Sequence, residues 1–186
     1  MQQSIIELAR EFKNIYKTGI RQNYDIGEIS SNDITYDDKS MSNIDYFFNN
    51  LNGSKEIHVG SPLNLIFDIK KNNYFKKGWN NIKDIDSLLF FGIQNETFFA
   101  QSLATLEIFC LISGDSEVYF IAETFNDFLG YINGILKISI TFLEKNDQDE
   151  NYYILEDEDF INEVKRFTDQ TSLKIDKKNI FDIFFF

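Results

Sequence analysis

The residue types that most often carry chemistry are scarce in this chain, which has one histidine, His58, and one cysteine, Cys110. The neighbourhood of His58, residues 57–61, supplies no second ligand or carboxylate at a spacing typical of a metal site or a catalytic triad. Cys110 lies within the apolar run 108–112, which predicts a buried thiol that behaves as a small hydrophobic group. We therefore expect neither residue to act as a ligand or a nucleophile.

Common enzyme motifs are also missing from the sequence. It contains no glycine-rich phosphate loop, no HExxH motif and no GxSxG elbow. Carboxylates are plentiful, and two of them could serve as acid and base if burial separated their pKa values, but a sequence does not reveal such a pair. The expectation is a protein that is not an enzyme, without catalytic or cofactor-binding residues.

One acidic run resembles a calcium-binding loop. The residues at loop positions one, three, five and twelve are Asp147, Asp149, Asn151 and Glu158. Position six is Tyr152, where the sharp turn of such a loop requires glycine, and position nine is Leu155. We interpret the run as a solvated acidic loop and expect no bound metal.

Charge narrows the classes of partner. The chain has 186 residues, with 30 acidic and 18 basic side chains and a formal net charge of −12. Nucleic acids and anionic membranes are poor partners for such a protein, because lysine and arginine provide the binding to phosphate groups. A basic protein surface would be attracted instead. The charge also favours solubility, so it does not identify a function alone.

Length, cysteine content and hydropathy limit the number of domains, the cellular compartment and the possibility of a membrane span. The length and the 43% hydrophobic content predict one domain over residues 1–186. A single cysteine excludes an intramolecular disulfide, and the first residues do not resemble a signal peptide. Both features predict that the protein resides in the reducing cytoplasm. The longest apolar run, 134–143, is shorter than the roughly 20 residues that cross a bilayer.

Helical periodicity and capping signals occur near both ends of the sequence. Ser4 and Glu7 have the spacing of a capping box before an amphipathic helix, and a second helix is predicted from Ser42 to the Asn52-Gly53 stop. Thr124 and Asp127 predict the start of a helix that reaches about Leu143, although Gly130 and Gly134 weaken it. Another helix is predicted around residues 160–167, and a loop or short extended segment over residues 19–39.

Strand patterns fill the middle of the chain. Short apolar runs separated by turn residues predict strands over residues 63–69, 88–91, 97–100, 106–112 and 118–122. Gly114-Asp115 predicts the turn of a hairpin between the last two runs. The aromatic segment 180–186 should add a strand to the sheet or dock on the core. The pattern as a whole predicts an α+β fold, with an antiparallel sheet flanked by helices.

Several landmarks occur in the order found in a known superfamily. They are the helix ending in Asn-Gly at 42–53, the strand ending in glycine at 88–92, the strands at 98–100 and 108–111, and the run 121–129, which is similar to an Ala-x-Ser-Phe-x-x-Phe-Leu signature. The segment 84–132 resembles the SUKH superfamily of small α+β proteins, many of which are bacterial immunity proteins. The chain departs from it at residues 93–95, and residues 144–186 would be a lineage-specific C-terminal extension.

The resemblance implies an immunity protein that binds a cognate toxin domain in the cytoplasm and occludes its active site. The acidic charge of the chain favours a basic toxin domain, such as a nuclease, as this partner. Exposed polar turns are the expected contacts, namely Gln94, Asn95, Glu96, Asp115 and Glu117. A second acidic and aromatic patch consists of Asp147, Asp149, Glu150, Tyr152 and Tyr153. Ordinary solvated turns are the alternative for both sets. A regulatory or scaffold module of the same fold, or an unrecognised hydrolase, are the alternative functions.

Overall fold

An antiparallel sheet and a set of helices make up the computed structural model, which confirms the α+β class. It describes residues 4–19, 43–49, 57–69, 72–77, 79, 82, 84–146 and 152–186. The predicted loop at 19–39 and the predicted helix stop at Asn52-Gly53 lie almost entirely outside these ranges. Among the described residues, no helix is both long and apolar enough to cross a membrane.

Within the described ranges, the sheet has six strands that lie side by side in chain order, each antiparallel to its neighbour. They are β1 (Ile57–Val59), β2 (Leu65–Phe67), β3 (Leu88–Gln94), β4 (Thr97–Ser102), β5 (Ile108–Ile112) and β6 (Val118–Ala122). The last five confirm predicted strands; β6 has the predicted ends, and the other four have shifted ends. β1 is too short to give a pattern of its own. In this meander the β1–β2, β3–β4 and β5–β6 connections lie at the same end of the strands. We call this end of the sheet the turn end; it consists of residues 60–64, 95–96 and 113–117.

Six helices surround the sheet in the described part of the chain. They are α1 (Ile5–Gly19), α2 (Asn43–Phe47), α3 (Asn72–Lys76), α4 (Phe125–Lys145), α5 (Glu158–Gln170) and α6 (Lys177–Phe185). The predicted capping box precedes α1, where the Ser4 amide donates to Glu7 Oε2 at 2.8 Å. The predicted cap of α4 is present too, since the Asp127 amide donates to Thr124 Oγ1 at 3.1 Å.

Both faces of the sheet are apolar and covered to different extents. On one face the rings of Phe67, Phe91 and Phe99 contact rings from α1, α2, α4 and α6. On the other face a smaller cluster joins Phe75 and Trp79 to the strand residues; its buried members are Phe75, Trp79, Ile82, Leu88, Phe90, Ala100 and Leu111. Phe75, Trp79 and Ile82 therefore form a thin second layer over the centre of the sheet.

The two glycines of α4 have a role in the contacts between helices. A Cβ atom at Gly134 would overlap the Phe167 ring of α5, and one at Gly130 would lie 3.2 Å from Cδ2 of Leu173. Although glycine weakens a helix, α4 continues through both positions to Lys145. The glycines let α5 and the segment after it approach the axis of α4 closely.

The aromatic segment 180–186 docks on the core, which was one of the two predicted alternatives. It does so as part of helix α6. Ile180, Phe181 and Phe184 of α6 are buried, and the Phe184 ring stacks on Phe99 with centroids 5.6 Å apart. The alternative of an added strand at 180–186 is wrong. The edge of β6 is extended instead by Ile175, which bridges Ala122, while the Asp176 amide donates to the Ile121 carbonyl at 2.8 Å.

Candidate functional site

The two residues with the most reactive side-chain types are placed where they contribute to the fold. Cys110 is fully buried on β5, and desolvation raises the pKa of its thiol to about 12, which agrees with the predicted inert cysteine. His58 is half-buried on β1. Across the ranges that the structure describes, no group of three or more histidine, cysteine or carboxylate side chains is arranged to hold a metal ion.

The two predicted contact turns of the sheet lie side by side. The amide of Ser113, in the β5–β6 turn, donates a hydrogen bond of 2.9 Å to the carbonyl of Glu96, in the β3–β4 turn. The side chains of Asn95, Glu96 and Glu117 are exposed. Because β4 pairs with both β3 and β5, the sheet itself holds these turns at the turn end. The structure thus places the β3–β4 and β5–β6 turns, which the sequence predicts as separate contact sites, next to each other.

The β5–β6 turn is braced by hydrogen bonds around Asp115. Its Oδ1 accepts from the Glu117 amide at 3.1 Å, and its Oδ2 accepts from the Tyr119 hydroxyl at 2.6 Å. The bond from Tyr119 and those from nearby amides hold the pKa of Asp115 below its ordinary value. Gly114 has φ +87°, a conformation that glycine adopts without strain. Asp115 therefore shapes the turn, and Glu117 is its exposed carboxylate.

Gln94 does not lie on an exposed turn, so that expectation is wrong. The side chain is only 5% exposed, because β3 extends to Gln94 and the alternation of the strand directs it to a buried position opposite Leu65. Its Oε1 has no hydrogen-bond partner among the described residues. The exposed turn begins one residue later, at Asn95, which has φ +51°.

A groove opens beside the turn end, between α3 and the β5–β6 turn. Its volume is about 320 Å³, and it is lined by Tyr74, Phe75, Lys77, Trp79, Phe98, Ser113 and Gly114. We call it the aromatic groove. None of its residues is predicted as a site residue from the sequence. The signal that could have indicated it is a lysine-rich run, 70–77, followed by Trp79, with Tyr74 and Phe75 inside it.

The second predicted patch is only partly described. Asp147, Asp149 and Glu150 lie outside the described residues. The Tyr152 hydroxyl donates to Asp157 Oδ2 at 2.7 Å, and Asp157 caps α5 through the Phe160 amide at 3.1 Å. Burial, together with this bond, raises the pKa of Tyr152. Tyr152 is thus engaged in the fold, whereas Tyr153 is half exposed.

A cavity on the helical side of the molecule contains none of the predicted site residues. It has a volume of about 670 Å³ and lies between α1, α4 and the segment 171–174. Its Glu11 carboxylate forms an ion pair with Lys137 and accepts from Asn133 Nδ2 at 3.2 Å. With these charged groups paired to each other, the cavity offers less for recognition than the turn end does.

No protein-family model matches the chain, and comparison with curated proteins and with solved structures gives no significant match. The interpretation of the site therefore depends on its own geometry and on the residues of this chain.

Proposed function

We propose that this chain is an immunity protein that binds the catalytic domain of a cognate bacterial toxin in the cytoplasm and occludes its active site. The toxin domain is a nuclease with a basic substrate groove, and the contact surface is the turn end of the sheet. The observation that carries the proposal is the hydrogen bond from Ser113 to Glu96, which joins the two acidic turns. It brings Glu96 next to the turn that carries Glu117.

Charge supports this choice of partner. The chain has a formal net charge of −12, and in the described part neither Glu96 nor Glu117 forms a side-chain ion pair within 4 Å. A nuclease groove that holds phosphates presents lysine and arginine side chains to the same kind of anionic surface. Complementary charge accelerates encounter and fixes the orientation of the complex.

Rigidity of the turns supports a binding role as well. The β5–β6 turn is held by Asp115 and Tyr119, and the β3–β4 turn is held by its bond to Ser113. Turns fixed before binding lose little conformational freedom in the complex, so more of the interaction energy appears as affinity. The resemblance of residues 84–132 to the SUKH superfamily points to the same class of function.

Co-expression tests the proposal. The partner is the toxic C-terminal domain encoded by the gene immediately upstream, and the readouts are growth and isolation of a complex. We expect growth to be rescued and a stable stoichiometric complex to be recovered. The double variant Glu96→Lys and Glu117→Lys should lose rescue, whereas Asp169→Lys, an exposed charge reversal on α5, should retain it.

Three outcomes would count against the proposal or a part of it. Failure of the unaltered protein to rescue growth, with both proteins expressed, would exclude immunity to that toxin. Absence of a toxin gene upstream would favour the regulatory or scaffold module, and the partner would then be sought by a pull-down from the native cytoplasm. Retention of rescue by the double variant would place the contact elsewhere, with Tyr153 and its acidic neighbours as the next candidate.

A further inference from the structure

The turn between β4 and β5 presents two leucine side chains to water. Leu103 is 57% exposed and Leu106 is 52% exposed, and neither belongs to a core cluster of the described residues. We call residues 103–106 the leucine turn. It lies at the end of the sheet opposite the turn end, because successive connections of a meander alternate between the two ends. Since turns at the surface are normally polar, these two leucines form an apolar knob that is available to a partner.

Leu106 has a strained backbone conformation. Its φ of +64° lies in the left-handed region, which glycine and asparagine adopt readily and leucine does not. Hydrogen bonds hold it there, since its amide donates to the Ser102 carbonyl at 3.0 Å and its carbonyl accepts from Gln101 Nε2 at 3.2 Å. Strained positions that the surrounding structure holds in place cluster at ligand contacts and other functional sites. The exposed leucine is therefore displayed in a fixed position that asparagine or glycine would fill with less strain.

Further hydrogen bonds fix the leucine turn before any partner binds. Ser102 Oγ accepts from the Thr105 amide at 3.1 Å, and the Leu103 amide donates to the Ser87 carbonyl at 2.9 Å. The Thr105 hydroxyl donates to Glu107 Oε2 at 2.7 Å, which holds a carboxylate beside the knob. A rigid knob loses little conformational freedom when it enters a complex.

The aromatic groove, at the other end of the sheet, has the complementary character. The Phe98 ring lies 5.3 Å from Phe75 and 5.6 Å from Trp79 between centroids, so the wall is built of rings. Phe75 and Trp79 belong to the smaller core cluster, which fixes the wall. Tyr74 is 72% exposed, and Lys77 is the one charged residue among the described residues that line the groove. The groove thus offers apolar contact together with a single ammonium group.

We propose that the aromatic groove receives the leucine turn of a second copy of this chain, with the second copy's Glu107 beside Lys77. An apolar knob next to a carboxylate matches an apolar groove next to an ammonium group, and both surfaces belong to the same chain. Self-association of this kind is independent of the proposed function. The contact joins two different surfaces, so a copy that lacks one of them still offers the other.

Sedimentation equilibrium of the unaltered protein is the first measurement. The net charge of −12 opposes self-association, so the buffer contains salt at about 0.15 M, at which exposed charges more than about 8 Å apart are largely screened. The contact is small, and we expect a Kd of about 0.1–1 mM. The average mass should rise with protein concentration across this range, and a monomer at every concentration would overturn the proposal.

Two variants separate the knob from the groove. Leu103→Ser with Leu106→Asn removes the knob, and this variant should fold because asparagine accepts the left-handed conformation. Tyr74→Ala with Lys77→Glu alters the groove at two exposed residues. Each variant should associate about 10-fold or more weakly, whereas the control Tyr153→Ala, at an exposed residue outside both surfaces, should associate like the unaltered protein. Association of either variant at the unaltered strength would overturn the proposal.

A mixture of the two variants tests the pairing of unlike surfaces. One variant retains its groove and the other its knob, so the mixture should associate more strongly than either variant alone. An exchange of charges tests the pairing of Glu107 with Lys77. Lys77→Glu should weaken association several-fold, and the addition of Glu107→Lys should restore both the association and the original net charge. A mixture no stronger than its components, or a charge exchange that restores no association, would overturn the proposal.

Discussion

The phenol of Tyr119 donates a hydrogen bond of 2.6 Å to Oδ2 of Asp115, within the hairpin that forms part of the turn end. The bond to this carboxylate, with some desolvation and its negative charge, raises the pKa of Tyr119 to about 12. The same bond contributes to the lowered pKa of Asp115. The two residues therefore act as a brace that sets the position of Glu117.

Removing the charge of Asp115 should return the pKa of Tyr119 toward its ordinary value of about 10. Because the pKa of Tyr119 is raised on folding, its contribution to stability is fully present below about pH 10 and is lost as the pH rises through about 12. Because the pKa of Asp115 is lowered, its contribution is present above its unfolded value and is lost as the pH falls through the folded one.

The measurement is an NMR titration of the tyrosine Cζ resonances in Asp115→Asn, with Glu117→Gln as the control. Glu117 acts on Tyr119 only through a smaller charge effect, so the control should leave the titration close to that of the unaltered protein. An unchanged Tyr119 titration in Asp115→Asn would contradict the account of the turn.

Alanine at the two glycines of α4 should have opposite effects. In Gly134→Ala the new methyl group meets the Phe167 ring, and overpacking of this kind costs about 1–3 kcal/mol, more than the ~1 kcal/mol that alanine gains over glycine in a helix. In Gly130→Ala the neighbour is the end of the flexible Leu173 side chain, so stability should rise by up to about 1 kcal/mol. Urea unfolding measures both, and equal midpoints would contradict the prediction.

Thr124→Ala should destabilise the start of α4 by about 1–2 kcal/mol. The substitution removes the cap to the Asp127 amide and also the hydroxyl that donates to Asp127 Oδ2 at 2.6 Å. Asp127 in turn accepts from the Lys174 amide at 3.1 Å, so the effect should reach the segment before α6. Thr124→Ser retains the hydroxyl and is the matched control. Equal denaturant midpoints for the two variants would show that the cap contributes nothing.

Cys110 should react with thiol reagents only when the protein unfolds. The thiol is fully buried, and its raised pKa of about 12 leaves almost no thiolate at neutral pH. The rate of modification should therefore follow global unfolding and increase with urea in step with the loss of circular dichroism. Rapid modification of the native protein would show that β5 opens locally.

Local signals predicted much of the fold from the sequence. The capping pairs Ser4–Glu7 and Thr124–Asp127 and the Gly114-Asp115 turn depend on neighbours in the chain, and each is present. The C-terminal helix was not predicted, because the aromatic residues of 180–186 favour a strand locally. Stacking of Phe184 on the distant Phe99, and the cap from Asp176 to the Asn179 amide, stabilise the helix instead.

The candidate site was predicted in part for a related reason. Glu96, Asp115 and Glu117 belong to turns that composition reveals, but their contact depends on the pairing of β4 with two other strands. The sequence favours a turn at Gln94 because local composition does not locate the end of β3 to within a few residues. The sequence does not predict the aromatic groove, since only the tertiary fold brings Tyr74 and Ser113 to the same cavity.

The most direct test of the central claim is a stoichiometric titration of the nuclease activity of the upstream toxin domain with this protein. The account predicts complete inhibition at one equivalent, loss of that inhibition in Glu96→Lys with Glu117→Lys, and retention in Asp169→Lys. Full nuclease activity in the presence of a large excess of the unaltered, folded protein would contradict it.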